Sequence, residues 1–118
     1  MRIIQDYCIL ELTNKPNGIN VVWRKKCKVS FPTELLICND FDTNSPIIGK
    51  AFNIRQVKNR ILADISVSRF VASLLQSEDV YVAIGAKVNS NNVYNNKLKQ
   101  FIVEEADIVI LAITKYPA

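Results

Sequence analysis

Strict alternation is clearest in Val80-Tyr81-Val82-Ala83-Ile84-Gly85-Ala86-Lys87-Val88. Val80, Val82, Ile84, Ala86 and Val88 share one face, and Tyr81, Ala83, Gly85 and Lys87 share the other. A period of two predicts a strand packed on a core through its branched face. The small side chains of Ala83 and Gly85 predict an open second face, where another group could approach the backbone. The strand is expected to be central and covered by the helix described next. In Ser68-Arg69-Phe70-Val71-Ala72-Ser73-Leu74-Leu75-Gln76 the period changes, with Phe70, Val71, Leu74 and Leu75 on one helical stripe. That spacing predicts a short helix over about 68–76, with Ser66 or Ser68 as its N-cap.

Elsewhere the pattern is that of strands. Ile4, Cys8, Leu10 and Leu12 share a face in residues 2–13, although Ile3, Tyr7 and Ile9 are apolar on the other. Asn14-Lys15-Pro16-Asn17-Gly18 reads as a turn, because proline presets φ and Asn-Gly tolerates positive φ. In residues 19–31, Ile19, Val21, Trp23, Cys27, Val29 and Phe31 point one way, with Lys25 the exception. Residues 2–31 are thus expected to form a long N-terminal β-hairpin. A two-residue Asn17-Gly18 turn would set Pro16 against Ile19 and Cys8 against Cys27; other turns separate the two cysteines. A short strand at 34–38 precedes a polar loop at 39–46. Ile48, Phe52 and Ile54 alternate in the next strand, and Ile61, Ala63, Ile65 and Val67 in the one after, with a turn at 57–60. Residues 89–96, with five asparagines, read as a solvated loop. Strands at 98–105 and 107–114 close the chain. Ile108-Val109-Ile110-Leu111-Ala112-Ile113 is apolar on both faces, which predicts a central strand. The expected fold is mainly β: a single small antiparallel β-barrel-like domain over residues 1–118, with one short helix.

Composition narrows the chemistry more than the fold. The 118 residues suit one domain with a core. The chain contains no histidine. Ser-His and Cys-His pairs, the HExxH zinc site and the usual neutral-pH base are therefore excluded. Three scattered cysteines make neither a disulfide framework nor a CxxC metal site. No apolar run reaches the roughly 18 residues of a membrane span, and Asp6 interrupts any leader-like apolar stretch. Synthesis and retention in a cytoplasm, or release by lysis, is the expectation. No glycine motif supports nucleotide binding, and no cofactor or metal is expected.

The charged residues offer weak constellations. Asp40 and Asp42 lack the spacing of a calcium loop. Glu104 and Glu105 must face opposite ways on a strand and make a poor acid–base pair. Arg24, Lys26 and Lys28 share a strand face and are the candidate partner-binding stripe. The plainer alternative is a solvated face whose charges keep an edge from pairing with another chain. Trp23 points away from them, which disfavours nucleic acid, since stacking needs aromatics on the basic face. The Asn-rich loop is a second candidate contact surface. A Ser-Lys hydrolase would need a buried lysine, whereas these lysines lie in polar stretches.

The order of elements resembles a known family. An Asn-Asp loop leads to Pro46-Ile47-Ile48-Gly49-Lys50-Ala51, then to Val82-Ala83-Ile84-Gly85-Ala86, and finally to Glu105-Ala106-Asp107-Ile108-Val109-Ile110-Leu111-Ala112-Ile113-Thr114-Lys115-Tyr116-Pro117-Ala118. This resembles the prohead maturation proteases of tailed phages, whose fold is shared with the herpesvirus assemblins, over residues 35–118. The resemblance sets the family's histidine at or beside Asn39, its serine at Ala83 and its last acidic residue near Val109. None of these side chains can do the corresponding chemistry. The resemblance therefore implies a non-enzymatic, catalytically degenerate virion protein. It would be a capsid auxiliary or decoration protein, assembled in the host cytoplasm, whose partners are the major capsid protein or other virion proteins. Self-association stays compatible with this reading; membrane is not expected. The alternatives are a small hydrolase using Ser-Lys or a cysteine without histidine, and a small basic nucleic-acid-binding barrel.

Overall fold

The computed structural model describes residues 1–17, 21–40, 47–88, 93–95, 97 and 99–115. Gly18 of the Asn17-Gly18 turn, Ile19, residues 41–46 with Asp42, most of the Asn-rich loop and residues 116–118 lie outside them. The strands are β1 (Arg2–Glu11), β2 (Val21–Ser30), β3 (Leu35–Asn39), β4 (Gly49–Val57), β5 (Arg60–Val67), β6 (Tyr81–Val88), β7 (Val93–Asn95) and β8 (Gln100–Thr114); α1 spans Arg69–Gln76 between β5 and β6. All eight strands belong to one sheet, ordered β1-β5-β4-β3-β8-β2, with β6 and β7 also paired to β8. The mainly β expectation holds. The sheet curls without closing, so the barrel is approached and not completed.

The organising strand is β8. The two segments expected at 98–105 and 107–114 form this single strand of 15 residues. It pairs in parallel with β2 and β3, and antiparallel with β6 and β7. Ile108–Ile113, apolar on both faces, is central as expected, with β3 on one edge and β6 on the other. The ladders to β2 and β3 are the parallel ones in an otherwise antiparallel sheet. Val93–Asn95 of the expected Asn-rich loop is a strand pairing with Phe101 and its neighbours.

The long N-terminal hairpin does not form. β1 pairs with β5, and β2 pairs with β8. Among the described residues β1 and β2 share no ladder; past the end of β1 the Thr13 and Asn14 amides donate to the Trp23 carbonyl at 3.1 Å each. Pro16 forms an isolated antiparallel bridge with Val22. Cys8 sits opposite Leu62, far from Cys27 in pairing, and both thiols are free. Two forces separate the strands. The open edge of β8 takes β2, and a carboxylate on β5 ties down β1.

Bulges set which side chains reach the core. In β5, Ile61, Ala63, Ile65 and Val67 are fully buried, as strict alternation predicts. In β1 the inward set is Ile4 and Tyr7, then Ile9, Leu10 and Leu12. Register shifts fall between Ile4 and Tyr7 and between Cys8 and Leu10. Each extra residue flips the inward parity. The same happens in β4, where Ala51 and Ile54 are buried and Phe52 is not in the core. The helix forms with Ser68 as its N-cap, whose Oγ accepts from the Val71 amide at 3.3 Å. It packs against β1. Ala72 and Leu75 are its buried residues, and Phe70, expected inside, is 73% exposed. β6 buries Val82 and half-buries Val80, Ile84 and Ala86 against the core, as expected. It is not central, however, because β8 is its one ladder partner among the described residues.

Candidate functional site

The three positions matched to catalytic groups fall on adjacent strands, β3, β8 and β6. Cys38 pairs with Ala112, and Ala112 with Ala83, so these three form one lateral row. Asn39 belongs to the next row, with Ile113 and Val82. Successive residues of a strand face opposite ways, so Asn39 and Ala83 lie on opposite faces, two strand spacings or roughly 10 Å apart. The expected open face at Ala83 is in fact closed, since Ala83 is 5% exposed and Ala112 is fully buried. Cys38 is buried beside them, its thiol donating to the Leu111 carbonyl at 3.4 Å. Val109 is the bulged residue of β8, skipped between the Gly85–Ile110 and Ala86–Ile108 pairs, and it is exposed.

The basic stripe meets the acidic run of its own chain. The β2–β8 ladder breaks between Trp23 and Lys28; of the intervening residues Lys25 and Lys26 are exposed and Cys27 is buried. That break carries Lys25 out of the inward phase into solvent, resolving the exception in the alternation. Arg24 Nε lies 3.4 Å from Glu104 Oε1, and Lys28 pairs in register with Glu105. Lys26 and Lys28 are exposed. Opposite charges across a ladder stabilise by a few tenths of a kcal/mol. Here they offset much of the field the stripe would offer a partner.

The nucleophile alternatives find little support from geometry. Ser66 faces Lys50 across β5 and β4, but the Lys50 ammonium is 2.9 Å from Glu34, and both charged side chains are about half exposed. A lysine base requires burial away from carboxylates. Burial, then Glu104 and Glu105, push the Cys27 thiol up to about 11, which keeps it protonated at neutral pH.

Two features escape a linear reading of the chain. The first is Asp64, 8% exposed on β5. Its Oδ1 accepts from the Asp6 amide at 3.1 Å and from Arg55 at 3.2 Å, and its Oδ2 from Asn53 Nδ2 at 3.2 Å. Arg55 also bridges to Asp6. The Asp6 amide above all, with Asn53 and Arg55, holds the Asp64 carboxyl below the usual carboxylate value against the opposing effect of burial. Asp6 and Asn53 are the positive-φ residues, at 57° and 53°, of the bulges in β1 and β4. One carboxylate on β5 therefore fastens a bulge on each of its neighbours. The second feature is the open seam of the sheet. The Tyr7 hydroxyl accepts from the Val82 amide at 3.1 Å, bridging β1 and β6. Beside it lies a cleft of about 410 Å³ lined by Tyr7, Cys8, Trp23, Arg60, Tyr81 and Lys15, among others. Burial raises the Tyr7 phenol, while the Val82 amide bond opposes that shift. The cleft residues come from four strands and a turn, so no sequence motif joins them.

A scan against protein-family models and searches of curated proteins and of solved structures each found no match.

Proposed function

We propose that this chain is a non-enzymatic protein that acts by binding, and that it serves as a capsid auxiliary or decoration protein in a virion. The observation that carries the non-enzymatic part is the lateral row Cys38–Ala112–Ala83. Of the positions that the resemblance matches to reactive groups, Ala83 lies in this row, which is small, apolar and buried, while Asn39 faces the other side and Val109 is exposed. The capsid assignment rests on the resemblance of residues 35–118, which fold alone does not convert into function. A decoration role needs surface in place of chemistry. Leu36, Ile47 and Val109 supply some, being 55%, 59% and 54% exposed around a shallow apolar hollow.

Purified chain added to capsids lacking it should sediment with them at a saturable ratio. If it stays in the supernatant at every concentration, the capsid reading falls. Treating the folded chain with a serine-directed phosphonate and a thiol probe, then measuring intact mass, tests the hydrolase reading. A stoichiometric serine adduct would overturn the non-enzymatic proposal.

A further inference from the structure

The seam between β1 and β6 has the chemistry of a peptide-binding edge. From β1 through β5, β4, β3 and β8 to β6, strand direction reverses four times, so β1 and β6 run the same way. Among the described residues they form no ladder with each other. Only a side chain, the Tyr7 hydroxyl, takes the Val82 amide that a neighbouring carbonyl would otherwise accept. Exposed edges are usually blunted by proline, lysine, a bulge or a covering segment. Arg2–Glu11 contains neither proline nor lysine, and its two bulges leave Tyr7–Cys8 and Leu10–Glu11 paired with β5. Its outward backbone groups are a template for one more strand.

The walls of the cleft specify what that strand carries. Trp23, Tyr7 and Tyr81 present aromatic surface, with buried Leu10 and Val82 behind them. Arg60 and Lys15 stand at the exposed rim against Glu11, which leaves a cationic excess. We propose that this cleft binds an extended acidic segment of a partner protein. The segment adds to the free edge of β1, seats an aromatic or aliphatic side chain near Trp23 and Tyr81, and directs a carboxylate to Arg60 and Lys15. The occupant is a strand, not a small molecule, because the cleft follows five consecutive residues of the edge strand, Tyr7 to Glu11. The proposal rests on the reading that this chain acts by binding protein, and it gives that reading a contact.

The single tryptophan makes the test direct, since Trp23 is the only one in the chain and lies in the cleft. The full chain is titrated with blocked peptides of about six residues, enough to span a short ladder, from a library varied in charge and side chain. Trp23 emission and amide exchange across β1 are the readouts. Acidic peptides should change the emission saturably, slow exchange of β1 amides, and bind about tenfold more tightly than charge-reversed ones. Arg60→Glu, at an exposed position, should reverse that preference, and Lys15→Glu should weaken it, with circular dichroism unchanged for both. The proposal is overturned by an unresponsive Trp23, by affinity indifferent to peptide charge, or by binding that leaves β1 exchange untouched, as a small-ligand pocket would. It is also overturned if the chain self-associates through β1 and excludes every peptide. Peptide binding without capsid sedimentation would retain this site and discard the capsid reading. Capsid sedimentation with no peptide response would do the reverse.

Discussion

Asp64 shows how much one side chain can decide at the residue scale. Its carboxylate is bonded from β1 and from β4 while it sits on β5. Asp64→Ala would leave Asn53 without this acceptor and Arg55 short of one carboxylate, and should cost about 3 kcal/mol by urea denaturation. Asp64→Asn keeps the shape and loses the charge, so it should cost about 2 kcal/mol near neutral pH. The folded carboxyl titrates below its ordinary value of 3.8. Its contribution is therefore complete above about pH 4 and is lost as pH falls through the lower folded value. The stability gap between the native chain and Asp64→Asn should narrow in that acid window; a gap constant down to pH 2 would contradict the assignment. The residue was not legible in the sequence. Alternation through Ala63 and Ile65 sets Asp64 on the outward face of β5, where a carboxylate calls for no partner. Its partners, at positions 6, 53 and 55, lie on two other strands and are invisible to any local pattern.

Among elements, legibility follows the bulges. β5 was readable because no extra residue interrupts its inward face, and α1 because its period and Ser68 cap agree. β1, β4 and β8 were readable as strands, but their facing was not. In β8 the buried series Val103, Ala106, Ile108, Leu111, Ile113 changes parity twice, so a fixed period of two fails across it. Pairing was least legible, because alternation says which face is buried and not which strand lies alongside. The β4–β5 ladder supplies a test of packing at this scale. A Cβ on Gly49 would lie 2.6 Å from Val67 Cγ1 and 2.8 Å from the Ser66 carbonyl oxygen. Gly49→Ala should thus cost about 1–3 kcal/mol. Combined with Val67→Ala, it should cost less than the two changes added together, because one clash is relieved. Strict additivity in denaturant midpoints would argue against that contact. The candidate cleft drew on the same non-local pairing, which is why Arg60 and Tyr81 were passed over.

The whole molecule depends unequally on its strands. β1, β5, β4 and β3 form a continuous antiparallel series, while β2, β6 and β7 have β8 as their only ladder partner among the described residues. That arrangement has a consequence in time. A ribosome delivers β8 after all the others, so three strands must wait unpaired until Gln100–Thr114 has emerged, while the β1–β5–β4–β3 series can already assemble. Non-local pairing of this kind slows folding and prolongs exposure of sticky edges. In pulsed hydrogen exchange during refolding, amides of β4 and β5 should gain protection before those of β2 and β6, with simultaneous protection the contrary result. The interval before β8 arrives is when this chain is most open to chaperones, and to mispairing with its own copies on the same messenger.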